Sequence, residues 1–357
     1  MCGVEAFPLK SPRELFTSRP GWGITDYKRH FEWADACILT GGTPIYDYDH
    51  ASRIIHCRLP RLLGKELICF GIGVKPVRSF HGKRIIRWLL ENAAAVSTRD
   101  LGSERELRRM GLKDKISVTG DSALFLEPET MDAETLEKMG LTSLDRPVAI
   151  CPRALSPDHR AHYHAPLTYA TITKTRRNIA AAADWIAETG HDVVFIPMHQ
   201  AQGDDDTAEI TEIRGMMHQP STVAAHPGTP EKAMGILQGM ELVLGLRLHS
   251  LILAAAAGVP IAGIDYDPKI RGFMERAGAG DYLTGVEDPP EALTRQMTKA
   301  FDNRAHLKSK LRENCERMRA LINRESQRIH DIIPRTDNGR GEHPSASQNT
   351  TEHRKHP

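Results

Sequence analysis

The stretch GLRLHSLILAAAAGVPIAGIDYDPK, from Gly245 to Lys269, indicates the fold of this protein. An apolar segment that reaches Leu244 is followed by Arg247 and His249, an alanine-rich segment, Gly-Val-Pro and a second apolar run. This order is typical of a strand, a helix and a parallel strand. A strand through Leu244 places Arg247, His249 and Ser250 at the turn into the helix. We therefore expect these side chains at the carboxyl edge of a parallel sheet, where ligands bind.

The same alternation of apolar runs and amphipathic helical patterns extends over most of the chain, which predicts an α/β architecture. We predict two doubly wound, Rossmann-like domains that face a cleft. The predicted boundaries are 1–128 for the first domain, 129–146 for a linker, 147–333 for the second domain and 334–357 for a disordered tail. The predicted strands are 36–42, 66–74, 94–100, 115–121, 147–154, 192–199, 221–227, 241–247 and 259–266.

Several helices are predicted between these strands. Ser103 and Glu106 have the spacing of a capping box, which predicts a helix start at Ser103. The charged segment 289–333 predicts a long helical end that is broken once. In the second domain, helices are predicted at 168–189, 205–218, 230–240 and 249–257.

Composition excludes several classes of protein. The 47 basic and 46 acidic side chains leave a net charge of +1, and 6% of the residues are aromatic, so nothing favours nucleic-acid binding. Six cysteines without a Cys-x-x-Cys pair argue against a zinc site and a disulfide framework, and fit a reducing cytoplasm. No apolar run is long enough to span a bilayer. We expect a cytoplasmic protein that contacts a membrane at most peripherally.

Arg247 and His249 suggest an anion site with a proton donor. A helix start offers free N–H groups and partial positive charge, and the guanidinium fork suits a carboxylate or phosphate. Histidine exchanges a proton near neutral pH. The alternative is structural: Arg247 pairs with an acid that holds the strand, and His249 caps the helix or is a satisfied core group.

The stretch resembles the signature of the polysaccharide pyruvyl transferase family, through Arg-Leu-His at 247–249, the alanine-rich helix, Gly-Val-Pro at 258–260 and Tyr-Asp-Pro-Lys at 266–269. The resemblance extends upstream through GGTPIYD (41–47), GIGVKP (71–76), STRDLGSERELRRMG (97–111) and VTGDSALFL (118–126). It implies a fold similar to that of glycosyltransferases of the B type. It also implies transfer of a pyruvyl group from phosphoenolpyruvate to a sugar of a cell-surface polysaccharide or its precursor, with formation of a ketal and release of phosphate.

The resemblance also implies a set of site residues. His249 would supply the proton and Arg247 would hold the donor, which makes these two the catalytic candidates. Asp121 could equally be a helix cap, and Arg99 with Asp100 a buried pair. The other donor-binding candidates are Arg153, Ser250, Lys269 and His199, and the acceptor-binding candidates are Gly41, Gly42, Asp47, Gly73 and Asp121.

The expected partners are phosphoenolpyruvate, as donor substrate, and a sugar or lipid-linked oligosaccharide as acceptor. We expect no cofactor and no metal, and we interpret the aspartates at 204–206 as a solvated helix start. The oligomeric state is not indicated by the sequence.

Two departures from the family pattern keep other functions open. The usual opening strand and glycine-rich turn do not precede Met1, so we expect either that the start has been assigned too late or that the first strand–helix unit of domain one is absent. In addition, Gly41-Gly42-Thr43-Pro44 replaces a run of glycines. The alternatives are a nucleotide-sugar glycosyltransferase of the B type and a catalytically inactive member of a polysaccharide assembly system.

Overall fold

The computed structural model describes residues 24–47, 50–112, 116–157, 167–201 and 204–333. The chain forms two compact units. Of the described residues, unit 1 takes those up to Thr98, those of Ser103–Ser117 and those from Arg324 onward, whereas unit 2 takes those of Arg99–Gly102 and Val118–Asn323. Each unit has its own parallel sheet. The predicted α/β class with two parallel-sheet domains is confirmed.

The first sheet has four strands in the order β1-β2-β3-β4, with β2 parallel to both β1 and β3. Apolar side chains of β2 and of the adjacent helices form its core, including Leu67, Ile72 and Ile86. Its strands are β1 (Ala36–Thr40), β2 (Glu66–Ile72), β3 (Ala95–Thr98) and β4 (Ile116–Val118), and its helices are α1 (Ile24–Trp33), α2 (His50–Leu62), α3 (Phe80–Leu90) and α4 (Leu101–Arg109).

Unit 2 contains a six-stranded parallel sheet in the order β12-β11-β10-β5-β6-β9. Its strands are β5 (Val148–Cys151), β6 (Val193–Phe195), β9 (Thr222–Val223), β10 (Leu242–Gly245), β11 (Ile261–Asp265) and β12 (Leu283–Gly285). Its helices are α5 (Ala133–Lys138), α6 (Tyr169–Glu188), α7 (Asp206–Arg214), α8 (Pro230–Gln238), α9 (Leu248–Ala256), α10 (Pro268–Ala277) and α11 (Pro290–Asp302), with 3₁₀ turns at Ser122–Phe125 and Gly280–Tyr282. Helix α12 (Arg304–Ile332) begins in unit 2 and ends in unit 1.

Small residues and helix caps bring the polar turns of unit 2 close to its sheet. A Cβ atom added to Gly245 would lie 2.7 Å from both Leu251 Cδ2 and Ser250 Oγ, so glycine lets α9 pack on β10. The Asp267 side chain accepts a hydrogen bond from the Lys269 N–H, and Pro268 at the first helical position completes the start of α10. Helix α9 begins at Leu248, and Arg247 at its N-cap position makes no side-chain capping bond.

The predicted helices of unit 2 and the break in the C-terminal helical segment are confirmed, since α11 ends at Asp302 and α12 begins at Arg304. The strand predictions run too far at their carboxyl ends. In β1 the reason is the backbone, because Gly41 and Gly42 have φ values of 74° and 49°. Strand β12 and the short antiparallel pair β7 (Gln200–Ala201) and β8 (Asp204–Asp205) were not predicted.

The predicted capping box is wrong. Helix α4 begins at Leu101, so Ser103 lies within its first turn. The Ser103 hydroxyl accepts a hydrogen bond from the backbone N–H of Val74 instead of capping the helix. Glu106 pairs with Arg109 on the same helix.

Residues 118–128 were predicted in the first domain and residues 129–146 in a linker. By their contacts, both segments belong to unit 2. The Glu129 N–H donates to the carbonyl of Glu231, which ties this segment to the start of α8. The expected tail at 334–357 and the opening segment before Ile24 lie outside the described residues. The five cysteines in the described part of the chain are free thiols. No helix in that part is long and apolar enough to cross a bilayer.

Candidate functional site

The candidate site lies where the second sheet reverses its strand order. Strands β5 and β10 are neighbours, with Cys151 paired to Gly245, and the chain continues from them toward opposite edges of the sheet. In doubly wound sheets this switch point is where ligands bind, outside the carboxyl ends of the strands. Arg153 and Arg247 each lie two residues beyond their strand, so both arginines reach this point.

The guanidinium of Arg247 is held by two carboxylates. Its Nε lies 3.0 Å from both oxygens of Asp206, and its Nη1 and Nη2 lie 3.1 and 2.6 Å from the oxygens of Asp204. Burial acts against the charged guanidinium, but the bonds to Asp206 and Asp204 outweigh it and raise the pKa of Arg247. Arg247 therefore stays charged and is fixed in place, as the structural alternative supposed.

Three of the predicted donor-binding side chains, Arg247, Arg153 and His199, converge on Asp204. Arg153 Nη2 lies 3.5 Å and His199 Nε2 4.0 Å from the Asp204 oxygen that also accepts from Arg247. Arg153 also donates to the Tyr266 hydroxyl at 2.8 Å. Partial burial favours a higher pKa for Asp204. The hydrogen bonds and charge of Arg247 lower this pKa, Arg153 and His199 lower it further, and together they hold it below the ordinary 3.8. Two guanidinium groups and an imidazole thus surround one internal anion.

The aspartates at 204–206 are not a solvated helix start, and that interpretation is wrong. Asp206 is completely buried, and its carboxylate also accepts from the Met198 N–H at 3.0 Å. The reason is the buried arginine: a charge held at the end of β10 requires carboxylates beside it. Only Asp205 has the expected role, since its side chain accepts from the Thr207 N–H at the start of α7.

His249 lies beside a second ion-pair cluster. Its Nε2 is 3.8 Å from Asp121, whose carboxylate also accepts from Arg99 Nη1 at 3.0 Å and from the Ala123 N–H. Asp121 is thus the expected cap as well as the partner of His249. The His249 side chain is 56% exposed, whereas that of Arg99 is 7% exposed. The imidazole can therefore exchange protons with a ligand while its neighbours are fixed.

Partial desolvation lowers the pKa of His249 below the ordinary 6.5. Asp121 works in the opposite direction, and Arg99, Lys269 and Arg247 add to the lowering. The imidazole is consequently mostly neutral at neutral pH without ligand. An anionic ligand would raise its pKa and favour the protonated form.

Lys269 and Arg276 line a narrow pocket together with the His249 neighbours Arg99 and Asp121. Lys269 Nζ is 3.4 Å from Asp267, and burial lowers the pKa of this ammonium group below 10.5. Arg276 donates to the backbone carbonyls of Arg99 and Thr119. The other residues that line the pocket are Asp100, Leu248, Ile252, Phe273 and Met318.

Two side chains at the site are buried. Ser250, a predicted donor-binding residue, is fully buried, and its hydroxyl donates to the Arg247 carbonyl at 2.7 Å. Cys151 is also buried, and desolvation raises the pKa of its thiol to about 12. The thiol therefore stays protonated and is not a nucleophile at neutral pH.

The predicted acceptor-binding residues other than Asp121 lie in unit 1. Gly41 and Gly42 are exposed after β1, and Gly73 donates its N–H to the Gly42 carbonyl. Asp47 accepts from the N–H groups of Arg78 and Ser79 at 3.0 and 2.9 Å, so it orders the turn before α3. Their predicted contact with an acceptor stays a prediction.

Sequence reasoning missed four side chains of this site: Asp204, Asp206, Tyr266 and Arg276. The signal for the two aspartates was present, because an arginine that follows a buried strand needs an acidic partner and the run at 204–206 was available. Tyr266 was part of the quoted motif but received no role. Among the described residues, no group of three or more His, Cys, Asp or Glu side chains could hold a metal ion.

Solved structures of known proteins show which fold this chain has. A candidate UDP-N-acetylglucosamine 2-epimerase from Listeria monocytogenes aligns with a TM-score of 0.58 and 14% identity, covering 90% of this chain and 83% of its own. HepE of Anabaena, solved in complex with UDP, aligns with a TM-score of 0.57 and 10% identity, covering 86% and 82%. These likenesses show that the fold is that of B-type glycosyltransferases and sugar-nucleotide epimerases.

The sequence comparisons give the family. The amylovoran biosynthesis protein AmsJ of Erwinia amylovora is 21% identical over 301 residues, which are 81% of this chain and 71% of that protein. The family model for polysaccharide pyruvyl transferase matches residues 5–268, which include both arginines, His249 and Asp121. The chain belongs to the polysaccharide pyruvyl transferase family.

Proposed function

We propose that this protein transfers the pyruvyl group of phosphoenolpyruvate to a sugar of a cell-surface polysaccharide or its precursor, forming a ketal and releasing phosphate. The family and the relative from amylovoran biosynthesis support a polysaccharide-modifying transferase. The observation that carries the finer proposal is the position of His249. It is an exposed acid–base group at a helix start, 3.8 Å from Asp121 and beside the buried cations Arg99 and Lys269.

The reaction needs a proton donor and anion contacts. One sugar hydroxyl adds to C2 of phosphoenolpyruvate while C3 accepts a proton from an acid, and the proton of that hydroxyl restores the acid. The C2–O bond to phosphate then breaks, and a second hydroxyl closes the ketal as its proton passes to the departing phosphate. His249 donates the proton to C3 as general acid. The N–H groups at the start of α9 and the Lys269 ammonium balance the carboxylate and phosphate of the donor. The donor's negative charge also raises the pKa of His249, so binding prepares the acid.

Arg247 and Arg153 both lie at the switch point between β5 and β10 and assist donor binding there. Arg247 fixes the backbone from which α9 starts, because Asp204 and Asp206 hold its guanidinium. Arg153 is 12% exposed in its side chain and is the second arginine available to the donor. Both would contact the phosphate in exchange for part of their bonding to Asp204.

Calorimetric titration with phosphoenolpyruvate tests this proposal, with a uridine-diphosphate sugar as the rival ligand. We expect saturable binding of phosphoenolpyruvate alone. His249→Gln should retain that binding within about threefold while phosphate release with a sugar acceptor falls by a factor of about 100 or more. Arg247→Ala should weaken donor binding itself.

The opposite results are equally informative. Binding of the nucleotide sugar alone would favour a glycosyltransferase, the reading suggested by the structural neighbour solved with UDP. Binding of neither ligand would favour an inactive member of an assembly system. Equal losses of donor binding in His249→Gln and Arg247→Ala would contradict the division of roles.

A further inference from the structure

Helices α2 and α3 of unit 1 carry a one-sided charge that the whole chain does not show. Together they contain six Lys and Arg residues and no Asp or Glu, although the net charge of the protein is +1. Three acids stand at the ends of these helices: Glu66 and Glu91 pair with Arg61 and Arg87, and Asp47 accepts from Ser79 at the start of α3. A local cationic surface is therefore present on a nearly neutral protein.

Large apolar side chains stand on the same surface. Phe80, Arg84 and Trp88 follow each other at four-residue spacing, so they share one face of α3. Phe80 is 67% and Trp88 44% exposed, while the buried face of α3 is formed by Gly82, Ile86, Leu89 and Leu90. Exposed aromatic residues of this size on one helix face mark an interaction surface.

Helix α2 continues this surface. Arg58 lies over the Trp88 ring at 4.3 Å from its centre, and Arg84 lies over the Phe80 ring at 5.6 Å. Leu62, one turn beyond Arg58, is 74% exposed. Each exposed ring thus has a guanidinium beside it. We name the surface formed by Phe80, Arg84, Trp88, Arg58 and Leu62 the aromatic–basic face.

We propose that the aromatic–basic face docks this protein on an anionic lipid bilayer. Trp and Phe with Arg and Lys on one amphipathic surface suit the headgroup region, where the rings enter the acyl boundary and the cations meet lipid phosphates. Helices α2 and α3 contain no acidic residue, so their positive charge complements the negative charge of such a membrane. An acidic polymer would use the cations but not two exposed rings and a leucine.

The position of α3 connects this surface to the sheet edge of unit 1. Helix α3 starts at Phe80, eight residues after β2 ends at Ile72, so its first turn lies on the carboxyl side of the first sheet. The predicted acceptor-binding residues Gly41, Gly42 and Asp47 follow the carboxyl end of β1. Only the Phe80 end of the aromatic–basic face lies on this side, because Trp88 and Leu62 stand near the ends of α3 and α2, where the chain enters β3 and β2 at the opposite edge of the sheet. The docking itself requires neither phosphoenolpyruvate nor an acceptor.

Vesicle co-sedimentation of the full chain tests this proposal. We expect binding to phosphatidylcholine vesicles that contain phosphatidylglycerol, much weaker binding to phosphatidylcholine alone, and weakening by added salt. Phe80→Ser with Trp88→Ser should lower the partition coefficient by about tenfold or more. Tyr169→Ser is the matched control, since Tyr169 is 78% exposed on α6 of unit 2, and it should bind like the wild type.

A second variant separates loss of binding from loss of folding. Arg58→Gln with Arg84→Gln leaves the apolar area in place and should weaken binding to the anionic vesicles selectively. Thermal unfolding by circular dichroism should match the wild type in both variants, because the substituted side chains are not in the core. Failure of the folded wild type to bind anionic vesicles, or equal binding by the wild type and the Phe80/Trp88 variant, would overturn the proposal. So would self-association of the wild type, measured by sedimentation equilibrium and lost in that variant, because the face would then bind a second copy of the chain.

Discussion

His249 is the side chain whose protonation the proposed reaction depends on, and its neighbours set its pKa in opposite directions. Desolvation lowers it, Asp121 raises it, and Arg99 and Lys269 lower it. The activity attributed to a general acid is lost as pH rises through its pKa. Since the pKa lies below 6.5 in the free protein, kcat/KM for the donor should decline from a slightly acidic pH upward.

Asp121→Asn tests this balance. The amide oxygen can still accept from the Ala123 N–H, so the cap is kept while the negative charge is lost. Because that charge raises the pKa of His249, the pKa should fall further and the limb of the pH profile should move to lower pH. The imidazole ¹⁵N shifts of His249 measure the pKa directly. Asp100→Asn removes a charge from the pocket that Asp121 also lines, and it should change the pKa of His249 less.

Asp204 offers a second test at the scale of single residues. Its carboxylate pairs with the cations Arg153 and Arg247 and lies 4.0 Å from His199, and these are three of the side chains predicted to hold the donor. Asp204→Asn should therefore bind phosphoenolpyruvate more tightly, by about tenfold, because one competing charge is gone. Asp205→Asn removes the same charge one residue away and should leave the dissociation constant unchanged. Equal titrations for the two variants would mean that the donor does not contact these cations.

At the scale of elements, sequence patterns predicted the order of the strands and helices around the site more accurately than the side-chain contacts between these elements. Arg247, His249 and Ser250 were expected at a turn between a strand and a helix; Arg247 lies between β10 and α9, and His249 and Ser250 lie in the first turn of α9. That Arg247 pairs with Asp206 could not be read from periodicity, because 41 residues separate them. The β7–β8 pair was missed since strands of two residues have no alternation to detect.

Gly245→Ala probes the packing of α9 on β10. The new methyl group would approach Leu251 and Ser250 to 2.7 Å, so the start of α9 has to move away from the sheet. We expect a loss of about 1–3 kcal/mol in unfolding free energy, measured by urea denaturation, and weaker donor binding. Gly239→Ala is the control, because its nearest contact would be an ordinary 3.5 Å and its φ of −79° suits alanine. A Gly245→Ala protein as stable as this control would contradict the packing argument.

At the scale of the whole molecule, the two units carry different chemistry. The charged switch-point cluster, His249 and the pocket lined by Asp121 and Lys269 all belong to unit 2, whereas the aromatic–basic face belongs to unit 1. The sequence predicted two parallel-sheet domains from the alternation of apolar runs and helices. It did not predict the assignment of residues 118–146 to unit 2, since a polar segment is compatible with either a linker or a packed surface.

This separation predicts two distinct footprints in amide hydrogen exchange. Phosphoenolpyruvate should slow exchange at the start of α9, in the turn after β5 and at the start of α10, because the donor contacts His249, Arg153 and Lys269. Anionic vesicles should instead slow exchange in α2 and α3 and leave those turns unchanged. His249→Gln keeps both footprints, since it removes an acid rather than an anchor, while Phe80→Ser with Trp88→Ser removes only the vesicle footprint. Protection of α3 by phosphoenolpyruvate alone would contradict the assignment of donor binding to unit 2, and protection of α9 by vesicles alone would contradict the assignment of membrane binding to unit 1.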